Sequence, residues 1–306
     1  MGQNLLILFT PLALAMIPGA VFWPYFSGTM ILLVGVFAAR SEVSTARGQE
    51  KVVSLGAMLY AVPLAVFGAQ HFTEAKAIEQ MVPKWMPVRL FWTYFVGIAL
   101  LAAALSIVVK KEGRLSGTLL ALMLALFVVL LHVPRVMAKP SDRISWAVAL
   151  RDLAFSGGAL AFAGTQTEQW RTKGRSPLIT FGRIVIAVAA IFFGVEQLLH
   201  PDFVPGVPLE KLTPTWIPGH VAWGYLAGAV SLVAGLGLIA NRKARLAATC
   251  LGAMVLLLMI FVYAPMLAAS LSDIDNGLDY FADTLMFSGA VLLLAEAMPR
   301  EVLSHV

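Results

Sequence analysis

The residues of this chain that could do chemistry are few and stand inside or beside strongly apolar runs: Gln70, His71, His132, Arg135, Arg151, Asp152, Glu196, Gln197, Tyr263, Asp279 and Asp283. Polar and ionisable groups in such surroundings are costly to keep, which makes each of them a functional candidate. A histidine near Asp and Arg is what proton exchange with a bound headgroup such as a quinone's requires. The imidazole moves the proton, a carboxylate orients it, and a guanidinium offsets negative charge. The plainer alternative is an ion-pair network that only ties helices together. His71 and His132 could in principle share a haem or metal across two helices. A buried histidine more often hydrogen-bonds its neighbours, so no metal site is assigned and haem ranks below quinone as a cofactor. His200, His220 and His305 fall at span ends or in the tail and read as solvated. Cys250 is the single cysteine, which excludes an internal disulfide or a CxxC pair within one chain.

These groups must be positioned by membrane helices. Of the 306 residues, 59% are hydrophobic and only 13% charged, against about 25% charged in a soluble domain. Apolar runs long enough to cross the bilayer fall near Val52 to His71, Val88 to Val109, Leu115 to Met137, Trp146 to Gly164, Leu178 to His200, Val221 to Ala240, Leu246 to Ala269 and Leu278 to Met298. The basic residues behind the +5 net charge are scattered over short loops rather than gathered in a patch, so no nucleic-acid partner is expected; the bilayer itself is.

The runs repeat. Pro83, Trp85, Pro87, Trp92, Tyr94 and Gly97 recur without a gap as Pro214, Trp216, Pro218, Trp223, Tyr225 and Gly228, and Phe67-Gly68 recurs as Phe193-Gly194 after a loop insertion. Four spans per copy make the copies parallel repeats. A third fragment, Pro18-Gly19 to Gly28, resembles the start of the second span. The expected fold is therefore an all-α polytopic transmembrane bundle. It consists of an N-terminal extension of one or two helices (residues 1–45) and two four-helix repeats (46–170 and 171–306), with ten spans, or nine as the alternative.

Of the 22 Lys and Arg, those at Arg40, Arg47, Lys51, Lys110, Lys111, Arg114, Arg171, Lys173, Arg175, Arg183, Arg242, Lys243, Arg245 and Arg300 share one side. The positive-inside rule makes that side cytoplasmic in a bacterial inner membrane and puts the Pro-x-Trp-x-Pro loops outside. Trp85, Trp92, Tyr94, Trp216, Trp223 and Tyr225 then lie at the outer interface, as anchors or as a ring-lined entrance for a flat ligand. By the repeat, Gln70 answers to Glu196, His71 to Gln197 and His132 to Tyr263. The first copy is thus basic and His-bearing, the second acidic, and a site carried mainly by one copy is expected. The spacing from Asp152 to Phe155 differs by one residue from that of Asp283 to Phe287, which leaves the register of the last span open.

At Phe67-Gly-Ala-Gln-His71, Phe193-Gly-Val-Glu-Gln-Leu-Leu-His200 and Arg245-Leu-Ala-Ala-Thr-Cys-Leu-Gly252 the chain resembles the DoxX-like family of small four-helix membrane proteins, over roughly residues 50 to 298. The resemblance implies a redox-linked membrane role, with quinone or respiratory and redox subunits as partners. The lone Cys250 departs from the thiol-handling relatives. A lipid or small-molecule carrier and a non-catalytic accessory subunit are the alternatives.

Overall fold

The computed structural model describes residues 52–174, 176–206, 211–217, 219–269 and 274–299. The N-terminal extension, and with it the choice between nine and ten spans, lies outside the described residues. Within them, the first half contains α1 (Gly56–Thr73), α2 (Ala75–Glu79), α3 (Arg89–Val109), α4 (Gly113–Phe127), a π-helical turn π1 (Val128–His132), α5 (Val133–Ala138) and α6 (Arg143–Thr165). After the short α7 (Glu168–Lys173), the second half contains α8 (Pro177–Leu199), α9 (His220–Ile239), α10 (Ala244–Leu258), π2 (Met259–Tyr263), α11 (Ala264–Ala269) and α12 (Ile274–Ala297). Eight of the resulting helices are long and apolar enough to cross a membrane, and they coincide with the eight apolar runs read from the sequence. Hydrocarbon leaves backbone polar groups no partner but their own segment, so these runs become helices.

The backbone repeats at the offset of 131. The three positive-φ residues Val88 (48°), Lys110 (53°) and Glu112 (52°) recur as Gly219 (65°), Asn241 (51°) and Lys243 (48°), so both halves enter and leave their second helix through the same left-handed corners. Both third helices carry a π turn at the same register, directly before Pro134 and Pro265. A proline has no N–H to donate, and its ring crowds the carbonyl one turn back, so the helix widens there by one residue.

Two kinds of close approach hold the bundle. Within each half the first and second helices meet at glycines: a Cβ on Gly97 would lie 3.0 Å from the Gly68 carbonyl oxygen, and one on Gly228 would lie 3.1 Å from that of Gly194. Between the halves, α6 packs on α8 and α12 packs on α1, while α6 and α12 cross each other in the middle. The first helix of each half thereby rests on the last helix of the other. Side chains are excluded at these crossings: a Cβ on Gly157 would lie 2.9 Å from the Gly182 carbonyl oxygen, and one on Gly158 would lie 2.5 Å from the Ala290 Cβ. Small residues are what let membrane helices gain dispersion energy at such distances. Ser156 and Ser288 add matching hydrogen bonds at 2.8 Å, donated to the carbonyls of Ala121 and Gly252. They settle the register left open above: α12 matches α6 at an offset of 132, so Arg151 corresponds to Asp283 and Asp152 to Thr284. At the basic end, Arg245 donates to the last carbonyls of α12 and Arg183 to those of α9.

Val88 holds a left-handed conformation that its counterpart Gly219 holds without strain, and the Val88 side chain is 73% exposed. A β-branched residue there costs about 1–2 kcal/mol, part of which a glycine gives back as lost chain entropy. Val88→Gly should therefore raise the thermal unfolding midpoint in detergent, and Gly219→Val should lower it.

Candidate functional site

The candidate residues come together near the end of the bundle that carries the Pro-Trp-Pro loops. α6 starts there at Asp142, whose carboxylate accepts from the Ser145 N–H at 3.2 Å and the Ser145 hydroxyl at 2.5 Å. These hydrogen bonds hold the Asp142 carboxyl below the usual carboxylate range, so the cap persists until the pH falls through that lowered value. About two and a half turns further on, the helix presents Arg151 and Asp152. π1 ends on His132, which its widened turn directs towards α6.

The result is a chain of polar contacts through π1, α6 and α12, with a separate hydrogen bond from α1 to α12 beside it. His132 Nε2 lies 2.8 Å from Asp152 Oδ2. Arg151 Nε donates to Asp152 Oδ1 at 3.0 Å, and Arg151 Nη1 donates to Asp283 Oδ2 at 2.5 Å. One turn earlier on α12, Asp279 Oδ1 accepts from Gln70 Nε2 at 2.5 Å. The four ionisable side chains of the His132–Asp152–Arg151–Asp283 run are only 10–17% exposed. Arg151 also lies with its guanidinium 5.8 Å from the centre of the Phe155 ring. His132 Nδ1 has no hydrogen-bond partner among the described residues. That nitrogen is an imidazole acceptor available to a ligand proton.

The other candidates go elsewhere. Glu196 faces Arg143 at 3.5 Å and His200 at 3.9 Å. Gln197 donates through Nε2 to the carbonyls of Phe203 (3.1 Å) and His200 (3.4 Å), and the Arg143 guanidinium sits 4.2 Å from the Phe203 ring centre. This second group pins the loop after α8. His71 Nδ1 bonds the Phe67 carbonyl of its own helix at 2.8 Å, Arg135 is exposed, and Tyr263 is buried among Val204, Ile217 and Leu258. His71 and His132 thus have separate partners, and among the described residues no group of three His, Cys, Asp or Glu is placed to hold a metal ion. The contacts draw on both halves, with Arg151 and Asp152 from the first and Asp279 and Asp283 from the second. Arg143 is the contributor that sequence reasoning passed over. Its signal was a charge at the very start of a span, counted only towards topology.

The aromatic residues face outward. Trp85 and Trp216 are exposed, Trp92 Nε1 donates to the Pro87 carbonyl at 3.0 Å, and Tyr94 stacks on Phe72 at 5.6 Å. Tyr225 is exposed and Trp223 packs against the Tyr263 cluster. Among the described residues none of the six hydrogen-bonds to the charge network.

The helices that carry Glu196, Gln197 and Tyr263 match a known family profile, that of DoxX, over residues 178–264. The matched stretch takes in α8 to α10 and the π2 turn of the second half and ends before α12. The chain is accordingly a DoxX-like integral membrane protein, and residues 60–155 of its first half match a domain of unknown function, DUF8561. No curated protein and no solved structure matches the chain. Arg151 falls within the DUF8561 match, whereas Asp283 lies on α12, beyond the end of the DoxX match.

Removing one member of a buried ion pair leaves an uncompensated charge and costs about 3–5 kcal/mol, whereas replacing both with apolar groups of similar volume is close to neutral. Arg151→Met should therefore destabilise the protein strongly, and adding Asp283→Leu should recover part of the loss, with Asp152 left to His132 alone. A double-mutant cycle on thermal or denaturant unfolding in detergent measures both steps.

Proposed function

We propose that this DoxX-like protein binds a quinone headgroup at the end of the His132–Asp152–Arg151–Asp283 network and exchanges a proton with it, as a redox-linked membrane protein working with respiratory or redox subunits. The observation that carries this reading is the His132–Asp152 contact at 2.8 Å, backed by Arg151 and with Nδ1 left open. With Nε2–H donating to Asp152, neutral His132 offers Nδ1 as an acceptor to a quinol hydroxyl and takes its proton, and Asp152 pairs with the imidazolium formed. The quinol's electron pair leaves to a redox partner and its second hydroxyl proton leaves to water. In the opposite direction the imidazolium protonates one quinone oxygen and water the other as the partner supplies two electrons. Arg151 offsets negative charge on that oxygen.

Among the alternatives, an amine or cation carrier built on the acidic residues is less well supported, because Asp283 is paired with Arg151 and Asp279 with Gln70. In the same reading, the matching corners, π turns and serine bonds reflect duplication of one unit, spanning residues 46–170 and 171–306. The basic loops then face the cytoplasm of a bacterial inner membrane.

Quinone binding to protein in lipid nanodiscs, followed by quenching of tryptophan fluorescence, tests the site. His132→Phe should weaken binding tenfold or more, and His71→Phe should leave it near wild type. Equal binding by both variants and the wild type would remove His132 from the site.

A further inference from the structure

We propose that the second half contains a separate, interior site that holds ordered water, and that the first half lacks its equivalent. A small cavity between α8, α9, α10 and α12 is lined by Phe193, Gln197, Ser231, Met254, Leu258 and Phe287, with Gly206 of the loop after α8 at its edge. Gln197 is 2% exposed. Its amide orientation is set by the two carbonyls it serves: both are acceptors, so Nε2 must face His200 and Phe203, and Oε1 is left with no partner. Ser231, 9% exposed, likewise makes no hydrogen bond to protein among the described residues. A buried carbonyl oxygen left unpaired is destabilising, and native proteins meet that need with ordered water wherever the space allows. The cavity has room for about one or two water molecules beside Gln197.

The counterpart positions in the first half explain why it is dry. Ser231 corresponds to Leu100, which is 4% exposed and fills the equivalent space, and Gln197 corresponds to His71, which bonds a carbonyl of its own helix. The two aromatic walls Phe287 and Phe155 also correspond, and each is 3% exposed. They form a matched pair that differs in the proposed hydration. The cavity's edge is also an outer wall of the Tyr263 cluster, since a Cβ on Gly206 would lie 2.6 Å from the Tyr263 hydroxyl oxygen.

Radiolytic hydroxyl labelling, in which X-ray pulses convert bound water to radicals beside it, reads this directly in the purified full chain. Phe287 should be labelled several-fold more than Phe155, and Met254 more than Met123. Ser231→Leu, which copies the first half, should bring Phe287 down to the level of Phe155. Equal labelling of Phe287 and Phe155 in the wild type, which needs no variant, would overturn the proposal. So would Phe287 labelling that persists in folded Ser231→Leu protein.

Discussion

Arg151 occupies the position on which the polar architecture depends. A guanidinium in the membrane-spanning part of a bundle is tolerated only with carboxylates around it, and Arg151 has two, its neighbour Asp152 and Asp283 from the other half. Its planar fork can serve both at once, a geometry that a lysine ammonium does not reproduce. Each contact then constrains a different helix: Asp152 carries the link to His132 on π1, and Asp283 fixes the face that α12 turns towards α6. One side chain thereby connects the crossing of the two halves with the His132 imidazole.

That crossing is also where the symmetry of the halves is sharpest and where their chemistry differs most. Ser156 and Ser288 make the same hydrogen bond, and the Ser-Gly pairs permit the same close approach. At the next equivalent pair, one half supplies Arg151 and the other Asp283. Arg151 and Asp283 stand at equivalent positions on the two crossing helices, where identical charges would repel and opposite ones pair. His132 and Tyr263 both end a π turn, but one pairs with a carboxylate and the other packs its ring in an apolar cluster.

Much of this was legible in the sequence for a definite physical reason. Hydrocarbon dictates helices of fixed minimum length, so the apolar runs gave the eight described spans, and the gapless Pro-Trp-Pro match gave their correspondence. The depth of the polar groups was legible too, because distance from a span end is countable. Their partners were not. Gln70, His71, Glu196 and Gln197 stand at similar depths, yet rotation about the helix axis sends Gln70 to Asp279, His71 back to its own helix, Glu196 to Arg143 at the start of α6, and Gln197 to the loop after α8. The pairing of Arg151 with Asp283 needed the register of α12, and that one-residue shift is visible only in the serine hydrogen bonds.

The central claim is that a quinone ring sits against His132 at the open end of this network. A photoreactive quinone analogue, cross-linked to the purified protein in lipid nanodiscs and mapped by peptide mass spectrometry, tests it most directly. The account predicts label concentrated on residues 128–138 and on the first turns of α6, suppressed by excess unlabelled quinone. Label spread over the lipid-facing helices and indifferent to competitor would contradict it.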